Sequence, residues 1–167
     1  MRTIFIQSLL DAEAAEVWGV VGTMSGVNAE LAPWLRMTVP RNLEGFRIED
    51  APIGRTAFAS WVCAFKIPFD RHFLRLEQVE QNRGFREDSH SWLQSRWMHE
   101  RTLSPEGTGR CRISDRVTFE PRMRFLEPLV ERAVLAVFRH RHGELRKRFA
   151  SKAPGTAPLS TNSRTRA

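Results

Sequence analysis

The stretch that decides the fold runs from Trp97 to Val117, "WMHERTLSPEGTGRCRISDRV". Two segments of period-two alternation flank a Gly-containing break, which is the pattern of a β-hairpin. The odd positions are Trp97, His99, Arg101 and Leu103, then Cys111, Ile113, Asp115, Val117 and Phe119. The even positions, among them Arg96, Glu100, Arg110, Arg112 and Arg116, are mostly charged. Side chains on a strand alternate between faces, so the odd set points to a core and the even set to solvent. His99 and Asp115, with Arg101 beside them, therefore stand on a face that should be apolar. With the turn centred on Gly107, His99 is expected directly opposite Asp115. A register shift of two would separate the pair and keep both inward.

A buried carboxylate must be paired or hydrogen-bonded. The pair therefore has three readings. It is a structural network with Arg101, or a polar anchor that orients a ligand's carbonyl or hydroxyl in an apolar cavity, or an acid/base pair in which His99 moves a proton and Asp115 orients it.

The same kind of signal extends upstream. After a first strand over residues 3–10, Asp11 is expected to cap a short helix with Ala14, Val17, Trp18 and Val21 on one face. A second short helix, Ser25 to Leu31, is expected to end before Pro33. From residue 43 to 119 the chain reads as successive strands, 43–48, 54–66, 71–80, 84–90, 93–104 and 109–119. Turn residues such as Pro68-Phe69-Asp70 and Asn82-Arg83-Gly84 separate them. In 54–66, the face of Ala57, Ala59, Trp61, Cys63 and Phe65 is expected inward. The more polar segment 71–80 is expected at an edge or rim.

Past Pro121 the spacing changes to 3.6. Leu126, Leu129, Val130, Ala133, Val134, Val137, Phe138, Arg141, Leu145 and Phe149 mark one long amphipathic helix, Arg124 to Ala150. Strands joined by short turns are antiparallel, and a sheet with one apolar face needs a cover, which the long helix supplies. The expected fold is α+β: a curved sheet gripping a helix, with a cavity where a straight cylinder cannot fill a concave surface. Residues 1–150 form the expected domain and 151–167 a disordered basic tail.

Composition narrows the function. The chain has 167 residues and a net charge of +7. Residues 139–167 hold eight Lys/Arg against one Glu, while 1–138 are balanced at eighteen each, so the body is neutral. A duplex-binding surface would spread its basic residues, and no nucleic-acid partner is expected. Basic residues also suit the C-terminal end of a helix. No apolar run is long enough to span a membrane. Cys63 and Cys111 lack metal-ligand spacing and read as free thiols in a reducing cytoplasm. His140 and His142 point to different sides of a helix, so no metal site is expected and both read as solvated. The chain shows no phosphate loop and no nucleophile elbow, and no cofactor is expected.

Three segments in order, "DAEAAEVWGVVG" (11–22), "RWMHERTLSPEGTGRCRISDRVTFEP" (96–121) and "LVERAVLAVFRHRHGELRKRF" (129–149), resemble the START-related polyketide cyclase/dehydrase and lipid-transfer superfamily. The resemblance covers residues 3–150. It implies a helix-grip fold, about seven antiparallel strands wrapped around the C-terminal helix, with a cavity for lipids, polyketides or quinone-like molecules. It carries over no catalytic triad. The expected cavity walls are Trp61, Phe65, Trp97, Phe119, Leu126, Leu129, Val130 and Val134, with Trp34 near the mouth and His99 and Asp115 as the polar anchor. The enzymatic alternative is a cyclase or dehydratase acting through His99 and Asp115, although the absence of Tyr removes a common proton donor. A third possibility is an interaction module using the basic helix end on an acidic partner or membrane surface.

Overall fold

The structure, a computed structural model, describes residues 1–150. The expected tail, 151–167, lies outside the described residues. The chain begins with β1 (Arg2–Leu10), α1 (Ala14–Val21), α2 (Met24–Leu31) and β2 (Leu35–Met37). It continues through β3 (Thr56–Ala64), β4 (Ile67–Glu80), β5 (Gly84–Ser91), β6 (Gln94–Pro105) and β7 (Cys111–Pro121), and ends in α3 (Glu127–Arg148). All seven strands form one antiparallel sheet in the order β1-β7-β6-β5-β4-β3-β2. The sheet curls around α3, which is the helix-grip arrangement.

Two packed clusters seal one side of the grip. Val17, Trp18 and Val21 of α1 meet Leu10, Leu103, Cys111, Ile113 and, from the end of α3, Leu145 and Phe149. Further along α3, Val134 and Phe138 pack on Ile4, Val117 and Phe119. The Asp11 N–H donates to the Phe149 carbonyl at 3.2 Å, tying the end of β1 to the end of α3. The residue preceding α1 is Glu13 and makes no side-chain cap, in place of the expected Asp11. For α2, Thr23 Oγ1 accepts the Gly26 N–H at 3.0 Å.

Several expectations are corrected. Residues 43–48 form no strand; the edge strand is β2, whose three residues are too few to show a period. The β3–β4 turn sits at Phe65-Lys66, both at positive φ, as a two-residue hairpin requires. This moves the start of β4 back to Ile67, ahead of the expected Pro68-Phe69-Asp70 break. β4 is also no rim, since β3 and β5 flank it. In β3 the even residues Phe58, Val62 and Ala64 face inward and Trp61 faces out. Trp61 is covered there by the Trp92 ring at 5.0 Å and the Arg71 guanidinium at 5.3 Å. Both faces of β3 carry apolar residues, so alternation alone does not decide the face, and the bulge opposite Val62 and Cys63 falls on β4. In the opening hairpin, Gly107 and Gly109 both take positive φ, at 74° and 70°. The turn therefore centres on Thr108, so Arg101 stands opposite Asp115 and His99 opposite Val117.

Candidate functional site

The C-terminal half of α3 packs tightly on β1 and β7. Its N-terminal half carries the smaller Val130, Ala133, Val134 and Val137 and leaves a cavity of about 480 Å³ under the curled sheet. That volume lies within the usual range for small-molecule sites. The apolar walls are Val27 and Leu31 of α2, Met37 of β2, Phe58 and Val62 of β3, Leu74 and Leu76 of β4, Phe85 of β5 and Trp97 of β6, closed by α3. One stripe of wall is polar: Asp70 and His72 from β4, Glu87 from β5, His99 and Arg101 from β6, and Arg141 from α3.

Behind this stripe lies a buried ionic network. Asp115, fully enclosed, accepts four hydrogen bonds. His99 Nε2 donates to Oδ1 at 2.9 Å, Arg101 Nε and NH2 to the two oxygens at 2.8 Å each, and His142 Nε2 to Oδ2 at 3.0 Å. Arg101 also grips Glu30 of α2 with two bonds of 3.0 Å, and Arg141 Nε donates to the same carboxylate at 2.9 Å. Glu87 accepts from His72 Nε2 at 2.6 Å, and its other oxygen lies 3.7 Å from His99 Nδ1. Beyond His142, the chain of bonds runs through Ser8 to Arg146.

Burial alone would push the Asp115 carboxyl up. The adjacent Arg101 guanidinium, His99 and the hydrogen bond from His142 overcome this and hold it well below the usual range. Burial likewise opposes ionisation of Glu30 and Glu87; Arg101 and Arg141 hold Glu30 down, and His72 and His99 hold Glu87 down. Arg101 is pushed up because its two carboxylates outweigh the burial that would lower it. The network is thus charged, paired and locked. Among the described residues no group of three His, Cys, Asp or Glu is placed to hold a metal ion.

Of the expected site residues, Trp34, Phe65, Trp97, His99, Val130 and Val134 reach the cavity. Trp34 stacks on His140 at 4.3 Å and stands at the rim; Phe65, 73% exposed at the hairpin tip, also lines the rim. Trp61 does not reach it, being on the outer face. Phe119 is sealed in the core beneath Trp97, and Asp115 lies behind the wall. Leu126 belongs to the turn before α3, and Leu129, 63% exposed, sits about 100° around the helix from Val130. His142, read as solvated, is fully buried. Sequence reasoning missed Glu30, Asp70, His72 and Glu87, and it placed Arg141 on the inner face of the helix without assigning it to the site; the inward alternation of Asp70, His72, Leu74 and Leu76 in β4 was the available signal for two of them.

A protein-family profile described as a domain of unknown function, DUF8410, matches residues 8–149. The chain belongs to the DUF8410 family. No curated protein matches it. The fold of this DUF8410 chain is similar to that of protein CV1439 from Chromobacterium violaceum, with TM-score 0.69 and 14% identity, covering 91% of this chain and 100% of that one. It is also similar to a START superfamily protein from Mycobacterium smegmatis, with TM-score 0.64 and 10% identity, covering 88% and 96%. DynU16, from the dynemicin biosynthetic locus, aligns with TM-score 0.54 and 13% identity over 87% of this chain and 46% of its own. At these identities the likeness is one of fold: the DUF8410 chain has the START-type helix-grip fold. No helix among the described residues is long and apolar enough to cross a membrane.

Proposed function

We propose that this protein binds a small, mostly apolar amphiphile in the sheet–helix cavity and does not transform it. The observation that carries this reading is the cavity itself, about 480 Å³, apolar on α2, β2, β3 and α3 and polar along one stripe. Apolar walls around open volume forgo contacts that an apolar occupant would restore. At about 0.8 kcal/mol per buried CH₂, an occupant of roughly eight to twelve carbons would gain some 6–10 kcal/mol before the costs of association. Lipids, polyketides and quinone-like molecules are the classes that the superfamily resemblance offers.

The cyclase or dehydratase reading is less well supported. His99 spends one nitrogen on Asp115 and turns the other toward Glu87, while Asp115 spends both oxygens on four donors. Under this proposal the two residues stiffen the polar wall, and neither exchanges protons with the occupant. The basic end of α3 is partly consumed inside the fold, with Arg141 on Glu30 and Arg146 on Ser8. That weakens the interaction-module reading.

The test is fluorescence titration with the neutral probe N-phenyl-1-naphthylamine. Saturable enhancement at one site is expected, weakened about ten-fold or more by Val137→Trp, which places an indole in the cavity while circular dichroism stays unchanged. No enhancement, or equal binding by the variant, refutes the proposal.

A further inference from the structure

We infer that the cavity contains a subsite centred on Asp70 that takes a cationic nitrogen, so that the preferred occupant is an amphiphilic amine. This rests on the cavity being a binding site, as proposed above. Asp70 stands on the inner face of β4, lines the cavity and is only 8% exposed. Its Oδ1 accepts the backbone N–H groups of Arg71 at 2.9 Å and Leu93 at 3.1 Å, which fixes the direction of the carboxylate. Its Oδ2 has no hydrogen-bond partner, and neither oxygen has a cationic partner, among the described residues.

That sets Asp70 apart from every other buried carboxylate of this region. Glu30 has two guanidiniums, Glu87 two imidazoles, and Asp115 one guanidinium and two imidazoles. Buried charges are paired. A lone carboxylate facing open volume therefore receives its partner from whatever fills that volume. Gln94, at the start of β6, lines the same cavity, but its Oε1 is enclosed without a hydrogen bond and does not open onto that volume. A primary ammonium offers three donors and no acceptor, which suits the free oxygen of a carboxylate. A carboxylate head would meet a second carboxylate there.

The experiment compares three straight-chain, twelve-carbon amphiphiles, dodecylamine, dodecanol and dodecanoate, by displacement of N-phenyl-1-naphthylamine near neutral pH and below their aggregation concentrations. Dodecylamine is expected to bind about ten-fold or more tighter than the other two, the effect of a charge-assisted bond in an enclosed site. Asp70→Asn should bring the amine to within about three-fold of the alcohol. Asn keeps an Oδ1 for the Arg71 and Leu93 N–H groups, so the variant removes the charge without disturbing those backbone contacts. Equal binding of the three heads, tighter binding of dodecanoate, or an amine preference that survives Asp70→Asn overturns the subsite while leaving the cavity reading intact. Failure of all three to displace the probe likewise overturns the subsite, and the cavity reading falls with it only where the probe itself fails to bind.

Discussion

Replacing Asp115 with Asn removes one charge from the most enclosed part of the molecule at almost constant volume. Asp115 is 0% exposed and accepts four hydrogen bonds from His99, Arg101 and His142 at 2.8–3.0 Å. An amide in either orientation turns one oxygen into an NH₂, which meets the donors of Arg101 with His99 or His142 head-on. Arg101, also buried, keeps only Glu30, which it already shares with Arg141. Removing one partner of a buried ion pair costs about 3–5 kcal/mol, because the remaining charge stays buried and uncompensated. For a chain of this size that is a fall in Tm of roughly 6–20 °C. Urea denaturation followed by Trp fluorescence and far-UV circular dichroism measures it. The control is Glu100→Gln: the Glu100 side chain is about half-exposed, at 46%, and 3.9 Å from Arg116. It should change stability by less than about 0.5 kcal/mol. A loss below about 1 kcal/mol for Asp115→Asn, or equal losses for the two variants, would refute the view of Asp115 as the hub of a locked network.

The folded chain holds Asp115, Glu30 and Glu87 below the ordinary carboxylate range, and the unfolded chain does not. Below that range the unfolded state binds more protons, so stability is complete above the ordinary carboxylate value of 4.5 and falls as pH drops through the folded values. Urea midpoints measured from about pH 6 down to about pH 3 should decline steadily, and a rise toward acid would contradict the sign. Gly84 sits at φ +150°, and an added Cβ would lie 2.0 Å from the Arg101 carbonyl oxygen, between paired strands. Gly84→Ala should therefore cost at least about 2 kcal/mol in the same urea assay, and a neutral result would mean β5 and β6 part more easily than their pairing indicates. Trp61→Ala, on the outer face, should leave N-phenyl-1-naphthylamine affinity within about two-fold, while Trp97→Ala, which strips a cavity wall, should lower it about ten-fold. The reverse order would place the binding site on the convex face.

Parity carried the central hairpin, because Trp97 to Leu103 and Cys111 to Phe119 alternate cleanly and one face is nearly all polar. It therefore placed His99, Arg101 and Asp115 inside. The register was two residues off because the turn uses both Gly107 and Gly109 at positive φ, and one centre cannot be chosen from two glycines. Arg101 consequently takes the place opposite Asp115, and His99 reaches it on the diagonal. In β3 both faces carry apolar side chains, so alternation could not choose between them. The remaining partners are long-range. Glu30 lies 71 residues from Arg101 and 111 from Arg141. His142 reaches Asp115 across 27 residues from a helix whose basic sequence reads as solvated. Such pairs appear only once α2 and α3 are laid on the sheet. Asp70 is the opposite case: its inward side follows from β4 alternation, but its lack of a partner is a property of the folded packing alone.

The cavity as a ligand site is the claim on which the rest depends, and native mass spectrometry of protein purified gently from its own host tests it most directly, before and after organic extraction. A discrete bound mass that is lost on extraction, and whose extract is a mostly apolar molecule, is the predicted result. A single mass equal to the bare chain before and after extraction, together with no response to N-phenyl-1-naphthylamine, would contradict the account.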